Sequence, residues 1–111
     1  FKVMIHKLQK ACNEKFDARL RYNRTQVYSE KTKKTITFLS IRQATVDPVT
    51  GKKKNIELFN TTTELYVVLF LRDYWYGLNG WEIPEDNEGW QNEKKRYRER
   101  KAKGITPPDV P

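Results

Sequence analysis

The sequence predicts an α+β fold: a three-stranded antiparallel sheet (a meander) flanked by an N-terminal helix and a strongly apolar second helix, with a basic C-terminal helix and tail. Three observations carry this. Apolar residues recur every fourth position near the start; three stretches rich in β-branched and aromatic residues follow, separated by polar turns; and a long apolar run then begins behind a Thr-x-x-Glu pattern. The chain divides into a compact α-β-β-β-α domain over 1–80 and, over 81–111, an acidic connector, a basic helix and a Pro-rich tail.

Met4, Leu8, Cys12 and Phe16, with Ile5 alongside, make one apolar stripe on a helix of about four turns, while Lys7, Lys10, Asn13 and Lys15 fall elsewhere. Next, Leu20 and Tyr22 alternate with Arg19 and Arg21 and lead to Val27 and Tyr28, the pattern of a first strand within 19–29. "SEKTKK" (29–34) is a polar turn. In "TITFLSIRQATV" (35–46), Ile36 and Phe38 lie on one face and Leu39 and Ile41 on the other, which predicts a central strand with cover on both sides.

"DPVTG" supplies turn chemistry. Pro48 presets φ, the Asp47 side chain can bond its own backbone, and Gly51 accepts positive φ. "KKNIELF" (53–59) returns as the third strand, with Ile56 and Leu58 alternating against Asn55 and Glu57. Thr61-x-x-Glu64 matches a capping box, so the second helix is expected to start there and stop at Gly77 or Gly80. Its apolar residues surround nearly the whole helix, which implies burial on more than one side. Asp86 is the expected cap of the third helix, Gly104 its expected end, and Trp90 and Tyr97 its apolar contacts.

Lys and Arg outnumber Asp and Glu by 22 to 14, a net charge of +8 that points to nucleic acid, an anionic membrane or an acidic protein as partner. A single cysteine, Cys12, excludes an internal disulfide and suggests a reducing, cytoplasmic setting. No apolar stretch approaches the roughly 18 residues of a transmembrane helix, and "FKVMIHKL" lacks the pattern of a signal peptide. No membrane association is expected.

Catalysis has little support. His6 is the one histidine, six residues from Cys12 and therefore on a different helix face, and Cys12 itself belongs to the apolar stripe. No phosphate loop, zinc spacing or nucleophile elbow occurs, and Glu82, Glu85, Asp86 and Glu88 lack the regular oxygen spacing of a calcium loop. No catalytic residue, metal or cofactor is expected.

Basic clusters are the stronger signal. Lys31, Lys33 and Lys34 occupy one turn, Lys52, Lys53 and Lys54 the next, and Lys94, Lys95, Arg96, Arg98, Arg100, Lys101 and Lys103 crowd the last helix. In a meander the two lysine turns fall at opposite ends of the central strand, about 35 Å apart at about 3.3 Å per residue. They would grip an extended polyanion rather than form one pocket.

The order helix, three antiparallel strands, helix resembles that of double-stranded RNA-binding domains. Those domains carry lysines at the start of the last helix, where this chain has Asn60-Thr61-Thr62-Thr63-Glu64. A second resemblance rests on "ATVDPVTGKKKNIELFNTTTEL" (44–65), which is similar to the strand, D-x-x-T-G-K-K turn, strand and F-x-T-x-x-E helix start of the arm-type, AP2-like DNA-binding domains of tyrosine recombinases. It spans 22 of 111 residues. The resemblance implies a DNA-facing sheet bearing Arg42, Thr45, Lys52, Lys53 and Lys54, with Phe59 beneath the second helix, in a small phage or mobile-element protein. Glu57-Leu58 departs from that pattern, as do the first helix and the apolarity of the second.

Two functions follow as expectations. The first is a small non-enzymatic nucleic-acid-binding accessory protein, with DNA preferred over RNA, that contacts phosphates through the lysine turns, Arg42 and the basic helix, with Tyr97 available for stacking. The alternative is a protein-interaction module, complex subunit or homodimer that uses the aromatic helix 61–78 through Tyr66, Phe70, Tyr74, Trp75 and Tyr76.

Overall fold

The computed structural model describes residues 1–85 and 87–103. Its elements are α1 (Lys2–Phe16), β1 (Leu20–Ser29), β2 (Lys34–Val46), β3 (Lys53–Thr61), α2 (Glu64–Asn79) and α3 (Glu88–Ala102). The strands form one antiparallel meander in the order β1-β2-β3, with β2 central as its composition demands.

Alternation along the strands sorts the sheet into two faces. Leu20 and Tyr22 of β1, Leu39 and Ile41 of β2, and Phe59 of β3 face the helices. One core cluster joins Leu20, Leu39 and Ile41 to Ile5 and Cys12 of α1 and to Val67 and Leu71 of α2. A second joins Phe59 to Leu69 of α2 and to Trp90 and Tyr97 of α3. α2 therefore contributes to both clusters, which accounts for its apolarity all round.

Polar side chains set the entry into the sheet. Asn13 of α1 brackets Leu20, accepting from its N–H at 2.7 Å and donating to its carbonyl at 3.0 Å, and Gln9 donates to the same carbonyl at 2.8 Å. The reversal between β2 and β3 follows the expected turn chemistry: Asp47 Oδ1 accepts from the Val49 N–H at 2.8 Å, and Gly51 sits at φ 72°. The two bonded amides, Val49 and Thr50, hold the Asp47 carboxyl below the usual carboxylate range, with Lys54 adding to the effect.

Several expectations need correction. Of the expected stripe of α1, Cys12 is buried, as is Ile5 alongside it, whereas Met4 is half exposed. The capping box does not form: Thr61 is the last residue of β3, its hydroxyl bonds Glu93, and the N-cap of α2 is Thr63. A β-bulge between Ile41 and Arg42 breaks the regular alternation of β3, so Phe59 pairs with Ile41 while Glu57 pairs with Arg42. Leu58 and Phe59 consequently both pack into the core, and Ile56 is left exposed. Of the expected glycine stops it is Gly80 that closes α2, at φ 73°. Asn87 caps α3 by accepting from the Trp90 N–H. Asp86, Gly104 and the tail lie outside the described residues.

Candidate nucleic-acid interface

The sheet face opposite the helices carries polar and basic side chains at the end nearer the β2–β3 turn. Arg21 of β1 lies directly across from Arg42 of β2, whose other neighbour is Glu57 of β3. Asn23 pairs with Ser40, and Asn55 with Ala44. Arg21 and Asn23 are exposed, as are Lys53 and Asn55.

Two adjoining depressions mark this end of the sheet. One, of about 530 Å³, is lined by Arg19, Arg21, Lys53, Lys54 and Asn55 among others. The other, of about 340 Å³, is lined by Arg21, Asn23, Arg24, Arg42 and Asn55 among others. Among the described residues no carboxylate lines either depression. Arg19 adopts φ 54°, a left-handed conformation that costs a non-glycine residue about 1 kcal/mol, and its carbonyl accepts from the Ala44 N–H while its guanidinium meets Asp17 at 3.3 Å.

The lysine turns sit as the meander requires. Lys53 and Lys54 border the first depression, with Lys54 Nζ 3.4 Å from Asp47, and Lys52 is exposed in the turn beside them. Lys31, Lys33 and Lys34 are exposed at the far tip of the β1–β2 hairpin. The sequence had singled out Arg42 and the lysine turns but not Arg19, Arg21, Asn23, Arg24 or Asn55. For Arg19 and Arg21 the signal was present in the alternation of Arg19, Leu20, Arg21 and Tyr22, which puts these arginines on one side and the apolar residues on the other; Arg24, paired with Leu39, falls on the apolar side.

α3 spends much of its charge internally. Lys94 lies 3.8 Å from Asp73 and over the Trp90 ring, Arg96 meets Glu93 at 3.5 Å, and Arg100 meets both Glu93 and the Asn60 carbonyl. Lys95, Arg98 and Lys101 are exposed, the last over the Tyr97 ring. Tyr97 itself is a core residue, packed edge-on against Phe59, and burial pushes its phenol up to about 12, with Glu57 adding to the shift. Its ring is not available as a platform for a base.

The aromatic residues of α2 are likewise engaged. Phe70 stacks on Phe59 and Tyr66 on Trp90, Tyr74 accepts from Gln43 through its hydroxyl, Trp75 meets Phe16 and Trp81 edge-on, and Tyr76 meets Trp81. Between α2 and α3 they leave an apolar groove of about 410 Å³, lined by Phe70, Tyr74, Gly77, Leu78 and Ile83 with Lys94 at its side.

Among the described residues no helix is long and apolar enough to cross a membrane, and no group of three or more His, Cys, Asp or Glu is placed to hold a metal ion. No family of known proteins, no curated protein and no solved structure matches the chain.

Proposed function

We propose that this protein binds nucleic acid, DNA in preference to RNA, through the sheet face opposite its helices. The observation that carries the reading is the pair of adjoining depressions whose charged lining among the described residues, Arg19, Arg21, Arg24, Arg42, Lys53 and Lys54, is entirely cationic, with Arg21, Arg42 and Lys53 on that face by register. Arginine and lysine supply the phosphate contacts that give affinity, and the interspersed Asn23 and Asn55 supply amides that can bond base edges. A three-stranded sheet with neighbouring strands about 4.8 Å apart is about 10 Å across, close to the width of about 12 Å of the DNA major groove.

The alternative, a protein-interaction module built on the aromatic side chains of α2, has less support because those rings already pack on Phe59, Trp90, Phe16 and Trp81. The test of the proposal is a titration of labelled duplex and single-stranded DNA and RNA at several salt concentrations. Log affinity should fall linearly with log salt, with a slope of about −0.9 per phosphate contacted on duplex DNA. The double substitution Arg21→Ala, Lys53→Ala should weaken binding and flatten that slope. No binding at low salt would refute the reading.

A further inference from the structure

The β1–β2 hairpin outruns the rest of the sheet. β3 pairs with residues 39–46 of β2, whereas β1 and β2 continue together for five more pairs, from Thr25 with Phe38 to Ser29 with Lys34. No residue from Asn23 to Phe38 is buried. At about 3.3 Å per residue the free ribbon is about 17 Å long.

Such an arm has little to stabilise it alone. A two-stranded hairpin is marginal in water, and this one leaves Tyr28 61% exposed and Ile36 37% exposed, on opposite faces by their alternation. Its charge is one-sided. Arg24, Lys31, Lys33 and Lys34 stand against Glu30, the only acid from Arg24 to Phe38. The arm continues the strands that bear Arg21 and Arg42, so it is an extension of the candidate interface rather than a separate surface.

We propose that the β1–β2 arm enters the major groove of duplex DNA, with Lys31, Lys33 and Lys34 meeting phosphates at the tip and Ile36, on the face of Arg21 and Arg42, reaching base edges; this rests on the nucleic-acid reading above and adds the duplex, the groove and the residues. Groove dimensions select the occupant. The major groove of B-form DNA, about 12 Å wide, admits a two-stranded ribbon and the minor groove, about 6 Å wide, is too narrow without deformation. The major groove of A-form RNA is too deep and narrow for side chains to read. Among base edges, it is the major groove that offers an apolar group a partner, the thymine methyl group.

The experiment compares the full chain with the variant Lys31→Ala, Lys33→Ala, Lys34→Ala on a short DNA duplex across a salt series. All three side chains are exposed, so the variant is expected to fold, which circular dichroism checks. The variant should bind at least about tenfold more weakly at low salt, with a slope flatter by up to about 2.7, the loss of three contacts at about 0.9 each. A second variant, Ile36→Thr, should weaken binding while leaving the slope unchanged. Bulky substituents at pyrimidine C5, which fill the major groove, should weaken binding of the unaltered chain.

If the lysine variant binds as the unaltered chain does while Arg21→Ala, Lys53→Ala is weakened, the arm proposal is wrong and the sheet-face reading stands. If the unaltered chain binds no nucleic acid, both are wrong. Equal lysine dependence on duplex RNA, or indifference to the C5 substituents, would overturn the major-groove assignment.

Discussion

The indole N–H of Trp90 donates to Asp73 Oδ2 at 2.8 Å, joining α3 to α2 through a bond between two buried residues. Arg72 and Lys94 balance the carboxylate, at 3.0 and 3.8 Å. The indole ring meanwhile fills the space between Phe59 and Tyr66. Trp90→Phe keeps an aromatic ring but removes the donor, and should lower stability by about 1–3 kcal/mol, the cost of a bond lost to a buried charged group. Trp90→Ala should cost about 3–5 kcal/mol because it also opens a cavity. Urea denaturation checks both; equal stability of the Phe variant and the parent would show that the bond contributes nothing.

Tyr97 couples stability to alkaline pH. Its phenol is pushed from 10.0 to about 12 in the folded protein, chiefly by burial. The neutral form is therefore favoured by folding, and its contribution is fully present below pH of about 10 and lost as pH rises towards about 12. The hydroxyl has no hydrogen-bond partner among the described residues. Tyr97→Phe should accordingly be neutral or slightly stabilising at pH 7 and should move the alkaline unfolding midpoint upwards, read by circular dichroism.

The two glycines near the end of α2 should respond oppositely to alanine. Gly80 holds φ 73° at the C-cap, so Gly80→Ala should cost about 1 kcal/mol. Gly77 is within the helix, and a Cβ there would meet nothing within 4 Å. Gly77→Ala should stabilise by up to about 1 kcal/mol through helix propensity. Thermal melts of the two variants should therefore shift in opposite directions.

Amide exchange should divide β2 in the middle. Residues 39–43 pair on both sides and include the buried Leu39, Ser40 and Ile41, whereas residues 34–38 pair only with β1. The free half of the hairpin should exchange faster by opening locally, and bound DNA should slow it. Uniform protection along β2 would contradict an autonomous arm.

The legible part of the site was its chemistry. Lysines 52–54 and Arg42 are visible as charge in the chain, but Arg21 becomes part of a site only when strand pairing sets it across from Arg42. The same holds for α3. Its row of bases reads as a binding surface until Asp73 and Glu93 are placed beside Lys94, Arg96 and Arg100; the Glu93–Arg96 pair follows i,i+3 helix spacing, whereas Asp73, 21 positions before Lys94, is beyond any local pattern.

The sequence by itself determined the order of elements, the antiparallel meander, the turn at Asp47 to Gly51 and the central place of β2, because periodicity and turn chemistry act over a few residues. Only the tertiary structure decided that Tyr97 is core rather than open to stacking, that the bulge at Ile41 and Arg42 lets Leu58 and Phe59 both pack inward, and that β3 pairs no further along β2 than Leu39. Those outcomes depend on which surfaces meet after folding. The arm beyond that point is the clearest case: its sequence reads like any strand, and what distinguishes it is that, among the described residues, no third strand lies beside it.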